Sequence, residues 1–428
     1  MVQRTEVLVA GGGPAGMMAA IRAAEQGCKV TLLEKNDSCG RKILVTGKGR
    51  CNVTNMREWP EFSLHIHPAA NFLRPSFYGF SNHALVSYLD YIGLPTVVTQ
   101  GERVFPQSMR AADVASALVS RLRQVGVELR CGCDVVAVEK EGELFRCTYS
   151  CMPRKGEVGV QSIFADCFII ATGGLSYPAT GSTGRGYELA KSLGHTVEPL
   201  FPSLTALMPS HYDTALVGLE LENVGLILEL DERVEQLEQG DLSFTSNGIE
   251  GSLGYRVSRK AVGALRNGRK VELVLDLKPA LSLATLEARL ARELDSLGYS
   301  PASLGPMQMK TLLRRLMPAQ LVNPFVSAHA GADVRNLPRL LKEWRFRIVS
   351  YTGYERAVVT AGGVSRKEIV AKNMSSKLVP GLYFAGEVMD VDGDTGGYNL
   401  QIAFSTGAMA GQSAAQRILS SKREEAEA

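Results

Sequence analysis

The sequence predicts an α/β protein, with a Rossmann-like nucleotide-binding domain built from both chain ends and interrupted by an inserted β-barrel plus helical domain. Three observations carry this. A strand–GxGxxG–helix unit opens the chain, and a glycine-rich strand–loop–helix unit closes it. Between them, short alternating strands give way to helices with leucine at three- and four-residue spacing.

The first strand is "EVLVA", residues 6–10, an apolar run bounded by glycine as in a buried parallel strand. It leads into Gly11, Gly13 and Gly16 at GxGxxG spacing, then into "MMAAIRAAEQG", whose alanines permit close helix packing, and then into a second strand, "KVTLLEK", ending at Glu34. Gly11 allows the tight turn, Gly13 lets the backbone approach a pyrophosphate, and Gly16 lets helix and strand pack closely. The helix N-terminus offers unpaired N–H groups to the anion. Glu34, about 20 residues on, is placed to accept hydrogen bonds from an adenosine ribose. An acid there favours the free 2′-hydroxyl of FAD or NAD over the 2′-phosphate of NADP.

Residues 40–55, "GRKILVTGKGRCNVTN", read as a basic loop too irregular for a helix or a strand. Following Glu34 so closely, it is expected to wrap the ligand, with Arg41 or Lys42 facing phosphate and the backbone from Gly47 through Gly49, Arg50 and Cys51 to Asn52 near the ring system. A solvated basic surface loop is the alternative. Residues 166–174, "DCFIIATGG", form an apolar strand that breaks at Ala171, Thr172 and Gly173, where backbone passes close to a nucleotide, or simply an ordinary strand and turn. At the C-terminal end, "GLYFAGEVMDVDGDTGGYNLQIAFSTGAMAG" (381–411) is a strand with Glu387 at its tip, a glycine-rich loop and a small-residue helix.

The order of that last stretch resembles the closing segment of two-dinucleotide-binding-type flavoproteins, which implies one nucleotide domain from 1–195 and 350–428, with 196–349 as the insert. Within the insert, 196–280 fits a small barrel or sandwich: "GLILEL" sets Leu226, Leu228 and Leu230 on one face, and "VELVLDL" repeats the alternation. Residues 281–335 are helical, with Leu283, Leu286, Leu290, Leu294 and Leu297 following a Ser282 N-cap and Gly298 ending the run. Residues 336–349 begin the return. The tail "SSKREEAEA" is expected to fray.

The chain has 428 residues, 45% of them apolar, and a formal net charge of +3, close to balanced. That argues against a dedicated nucleic-acid binder. No run of about 18 uncharged apolar residues appears, and the N-terminus reaches its glycines too soon for a signal peptide. Eight cysteines lack zinc spacing, so a reduced, cytoplasmic chain is the expectation, with Cys131 and Cys133 as packing residues. His65 and His67 in "LHIHP" have no acid or cysteine at fitting spacing, so no metal is expected.

Taken together, "GGGPAGMMAA", "GRKILVTGKGRCNVTN", "GERVFPQS", "ATGGLSYPATGSTGRGY" and "SKLVPGLYFAGEVMDVDGDTGGYNLQ" make the chain resemble the BaiN-like, aminoacetone-oxidase-like family of FAD-dependent oxidoreductases. The resemblance implies the two-dinucleotide-binding flavoprotein fold and FAD, with the acid at the strand tip on the ribityl chain and the last helix facing the flavin pyrimidine. The expected FAD contacts are Gly11, Gly13, Ala15, Gly16, Glu34, Lys35, Arg41, Lys42, Gly47, Gly49, Arg50, Cys51, Asn52, Val135, Ala171, Thr172, Gly173, Gly386, Glu387, Asp394, Gly397, Tyr398, Asn399 and Gln401. Only one complete strand–GxGxxG–helix unit is present, so "TGSTGRG" (180–186) reads as a loop near the flavin and NAD(P)H as a transient reductant.

The family implies reduction of a carbon–carbon double bond in an oxo-steroid-like enone, with Tyr177, Tyr398 and Arg103 as candidates to polarise a carbonyl or give a proton. Each also has a structural reading, Arg103 pinning its own loop and Tyr398 packing. An oxygen-dependent amine oxidase of the aminoacetone type, and a flavoprotein that modifies or binds RNA through the basic loop, are the alternatives. The expected partner is a small molecule, with no nucleic acid and no membrane. Ser246 in "FTSNGIEGS" replaces a family histidine, so that residue's role does not carry over.

Overall fold

The computed structural model describes residues 3–151, 159–301 and 304–427. The chain divides into two units, Met1–Phe201 with Val358–Ala428, and Pro202–Ala357. Both seams fall a few residues later than the sequence reading sets them. At the first, the strand beginning at Val197 pairs with Val359–Val364 and so stays with the nucleotide-binding unit. At the second, Trp344–Tyr351 is no return segment but a barrel strand, with Trp344, Phe346 and Ile348 alternating inward.

In the first unit, β1 (Gln3–Ala10) leads into α1 (Pro14–Ala24) and then β2 (Val30–Glu34). The sheet runs Glu128–Cys131, β2, β1, Gly159–Ile170, Leu144–Cys151, Cys133–Glu141, and Leu382–Phe384 also pairs with Gly159–Ile170. The first four strands and Leu382–Phe384 are parallel. Val7 to Val9 and Phe168 to Ile170 are fully buried, as parallel strands covered on both faces require. The strand ends are tied together: Gly11 N–H donates to Leu33 O, Ala171 N–H to Ala10 O and Ala385 N–H to Ile170 O. Three chain breaks thus open side by side at one carboxyl edge, where such sheets bind ligands.

The long helix Tyr398–Glu427 packs on α1. A Cβ on Gly407 would lie 2.3 Å from Ala15 O, and one on Gly411 2.1 Å from Ala19 O. The four-residue step is the same on both helices, so they run parallel and aim both N-termini at that carboxyl edge. Helix continues to Glu427, in place of a frayed tail.

Two further expectations are corrected. Residues 40–55 are not irregular throughout: α2 spans Arg41–Val45, a 3-10 turn Thr46–Gly49 follows, and Thr54–Asn55 is a short strand. Ile43, fully buried, anchors α2 to the core. The cysteines are not all reduced, because antiparallel pairing sets Cys133 opposite Cys151, and the two form a disulfide.

The second unit contains a closed barrel with strand order Leu207–Pro209, Gly248–Glu250, Arg233–Thr245, Glu220–Leu230, Val271–Asp276, Trp344–Tyr351. Leu226, Leu228 and Leu230 face inward. The helix Gly251–Arg266, which sequence reading passed over, packs against the Arg233–Thr245 strand through Leu253, Val257 and Ala261. The Leu283–Leu297 helix starts at Ser282, whose hydroxyl accepts from Thr285 N–H, and ends at Gly298 in the left-handed region.

Candidate functional site

A cleft of about 1280 Å³, counting its solvent-open mouth, lies within the first unit at the carboxyl edge of the sheet. One wall is the glycine turn. Gly11 has φ +105°, and a Cβ there would meet Ala171 O at 2.5 Å. Gly16 is tighter still, since its Cβ would fall 1.8 Å from Gly11 O. Gly13 differs: among the described residues nothing beyond its chain neighbours stands within 4 Å of its Cβ position, so this flank faces open space. Pro14 starts α1 with no side-chain cap and no acid in the first turn, which leaves its N–H groups for an anion.

The neighbouring wall hangs on Glu34. Its carboxylate accepts from Gly12 N–H at 2.6 Å and from the Asn36 N–H and Nδ2 at 2.8 and 2.6 Å. Asn36 Nδ2 also reaches Thr180 O, Arg41 donates to Asn36 Oδ1, and Lys35 Nζ donates to Thr183 Oγ1 at 2.8 Å. The "TGSTGRG" loop is thereby stitched to the end of β2. Gly181, at φ +112°, allows this, because a Cβ would sit 2.5 Å from Asn36 Nδ2.

Deeper in, Lys42 Nζ donates to Ser176 Oγ at 2.5 Å and to Glu387 Oε2 at 2.6 Å, while Ser176 Oγ donates to Glu387 Oε1 at 2.6 Å. Thr360 N–H adds a bond to Oε1. Across the cleft, Asn399 clamps Gly393, accepting from its N–H and donating to its O. Thr172 Oγ1 is buried without a hydrogen-bond partner. An extended phosphate-bearing ligand fits these walls: an open backbone flank and free helix N–H groups at one end, hydroxyl-reading groups at the other, and an orphan hydroxyl between.

Of the expected contacts, the structure brings Gly11, Gly13, Ala15, Glu34, Lys35, Arg41, Lys42, Val135, Ala171, Thr172, Gly173, Glu387 and Asn399 to the cleft wall. Others lie behind it. Gly16, within α1, packs on Gly11 O, Gly386 packs on Ala15 of α1, and Gly397 lies against Thr54, its Cβ position 2.4 Å from the Thr54 carbonyl. Gln401 is fully buried, accepting from Thr54 Oγ1 at 2.6 Å and donating to Phe80 O. Tyr398 stacks on His65 and meets Phe62 edge-on. Burial pushes its phenol up to about 12.

Asp394 supplies the acid that sequence spacing did not offer the two histidines, its oxygens meeting His65 Nδ1 at 2.8 Å and His67 Nε2 at 3.0 Å. Burial pushes its carboxyl up, but these bonds outweigh burial and hold it below the ordinary carboxylate value. Cys51 is fully buried at φ +60°, and Asn52 Oδ1 is buried without a partner. Gly47, Gly49 and Arg50 are exposed, with Arg50 over the Phe105 ring. Arg103 is exposed and donates to Gln100 O, as the pinned-loop reading has it, and Tyr177 has φ +50° between wall residues Gly173 and Thr180.

Sequence reasoning missed Asn36, Asp134, Arg185, Val359, Val391 and Leu400 as wall residues, among others. The glycines of "TGSTGRG" pointed to its loop but not to its side chains. Val359 carried no signal at all.

Comparison with known proteins bears on the whole chain. The family model described as "HI0933-like protein Rossmann domain" matches residues 5–413. A 3-dehydro-bile acid delta(4,6)-reductase from Clostridium scindens is 31% identical over 417 residues, 96% of this chain and 98% of the relative. A ribosomal RNA dihydrouridine synthase from Escherichia coli is 30% identical over 410 residues, 95% of this chain and 96% of the relative. The solved structure of a 3-ketosteroid-delta4-(5alpha)-dehydrogenase from Rhodococcus jostii superposes with a TM-score of 0.52 at 15% identity, over 96% of this chain and 97% of that one, a likeness of fold.

Proposed function

Because this chain belongs to the HI0933-like Rossmann-domain family, we propose that it is an FAD-dependent oxidoreductase that reduces a carbon–carbon double bond conjugated to a carbonyl, with NAD(P)H as transient reductant. The observation that carries the reaction is the end-to-end likeness to a relative named as a delta(4,6)-reductase of a 3-dehydro-bile acid. FAD bound in the cleft supplies a two-electron carrier able to pass hydride to the β-carbon of an enone.

This chain's residues have separate tasks in that reading. The free N–H groups of α1 and the open flank of Gly13 hold the pyrophosphate, and the Glu34–Asn36 end accepts the adenosine. Asn399 and Leu400, wall residues at the start of the long helix, would face the pyrimidine edge of bound flavin, where the helix dipole would favour negative charge by about 0.3–2 kcal/mol. Tyr177 is the proton-donor candidate flanked by wall residues. Tyr398 keeps its proton within an aromatic cluster, and Arg103, bonded to Gln100 O, is not among the wall residues.

A second reading has one observation behind it. The relative named as a ribosomal RNA dihydrouridine synthase suggests uridine, whose C5–C6 bond is also conjugated to a carbonyl, as the acceptor. Lys48 and Arg50 are exposed beside the cleft-wall residue Thr46 and are placed to meet phosphates.

The test is anaerobic. Purified protein with FAD is titrated with NADH and NADPH while the flavin spectrum is followed, then offered steroidal enones, simple enones or ribosomal RNA. Bleaching by a nucleotide and recolouring by an enone supports the first reading, and recolouring by RNA alone supports the second. A flavin that no nucleotide bleaches overturns both.

A further inference from the structure

The sequence reading sends Arg41 or Lys42 to phosphate, but the charge of Lys42 is already committed. Lys42 Nζ lies 2.6 Å from Glu387 Oε2, and both side chains are about four-fifths buried, at 21% and 17% exposure. Ser176, fully buried, links the pair by accepting from Lys42 and donating to Glu387 Oε1. Thr360, also fully buried, adds its N–H to Oε1, and its Oγ1 accepts from Leu175 and Ser176 N–H. A Cβ on Gly174 would fall 2.5 Å from Thr360 Oγ1 and 2.9 Å from Glu387 Oε1, so glycine is needed for the four segments to close on one another.

Donors and acceptors can be counted. An ammonium has three N–H donors and an ionised carboxylate about four acceptor sites. Lys42 uses two donors here, and Glu387 uses two sites on Oε1 and one on Oε2. Among the described residues, one N–H and one lone pair remain on two adjoining residues that both line the cleft. A neighbouring donor and acceptor match a hydroxyl, which both accepts and donates, better than a phosphate, which at neutral pH chiefly accepts and would be repelled by the carboxylate.

The geometry points to Lys42 as a positioning residue for Glu387: it fixes the acid that the family resemblance sends to the ribityl chain, and its spare N–H joins that acid at one ribityl hydroxyl rather than at the pyrophosphate. This rests on the FAD reading and adds to it the lysine that orients the acid.

The experiment compares FAD, followed by flavin fluorescence quenching, with ADP, followed by calorimetry, on the full chain freed of flavin. The variants are Lys42→Met, Glu387→Gln, the double substitution and Ser176→Ala. Lys42→Met and Glu387→Gln should each weaken FAD about ten- to hundredfold. The double should be within about threefold of the weaker single, because the pair is already broken. ADP, which has the pyrophosphate but no ribityl chain, should bind all variants within about threefold of wild type.

If Lys42→Met weakens ADP as much as FAD, or if the two single effects multiply in the double, the assignment is overturned. Circular dichroism checks folding. Should Lys42→Met fail to fold, Ser176→Ala decides: lost FAD affinity with ADP binding intact supports the proposal, and unchanged FAD affinity overturns it. A wild-type chain that binds ADP but not FAD overturns the flavin reading itself.

Discussion

Two glycines three residues apart show how differently the same residue type is used. Gly16 is closed in by Gly11 O, whereas Gly13 has empty space where a side chain would go. Gly16→Ala should therefore cost about 2–4 kcal/mol of stability in urea unfolding, since helix and turn must separate. Gly13→Ala should leave the flavin-free protein within about 1 kcal/mol of wild type yet weaken FAD at least about tenfold, because the methyl occupies the approach to the pyrophosphate. Tyr398 gives a pH prediction. Its phenol rises to about 12 in the fold from about 10 when unfolded. Its contribution is thus intact below about pH 10 and is lost as pH rises toward 12. Urea stability of wild type and Tyr398→Phe should run parallel with pH up to about 10 and converge above it.

Among the elements, the contact between the two parallel helices has little slack. Gly411 touches Ala19 O with no room for a Cβ. Gly411→Val should force the helices apart, cost about 3 kcal/mol or more, and weaken FAD because both helix N-termini move. An exposed control such as Ser421→Val should do neither. The Cys133–Glu141 and Leu144–Cys151 strands, joined antiparallel, carry the Cys133–Cys151 disulfide, leaving six free cysteines. Alkylation after denaturation should block six thiols without reductant and eight with it, read by intact mass. Eight without reductant would show the pair open.

At the level of the whole molecule, the second unit is a continuous stretch with a closed barrel, and the first is discontinuous. Residues 202–357 alone should give a cooperative melt. Residues 1–201 alone should not, because the Leu382–Phe384 strand, Glu387 and the long helix are missing from their sheet and core. Adding 358–428 in trans should restore structure and FAD binding, checked by circular dichroism and flavin fluorescence.

The glycine turn, β2 with Glu34 and the leucine-spaced helix were legible in the residues, because each is dictated by neighbours a few positions away: strand alternation, helical period, and backbone room that only glycine provides. It was the likeness of the closing segment to that of two-dinucleotide-binding-type flavoproteins that marked both chain ends as parts of one site. What local patterns do not encode is which distant groups meet. Lys42 is separated from Glu387, and His65 and His67 from Asp394, by more than three hundred residues, so hydrogen bonding that spends a lysine's charge on a carboxylate, or gives two histidines an acid, has no trace in spacing. The loop at 40–55 was misjudged for the same reason, since the burial of Ile43 that makes α2 a helix is a tertiary contact. Sequence determined the ligand class and the turn that receives it. Only the packing of remote segments decided which side chains stay free to touch that ligand and which are consumed in holding the walls together.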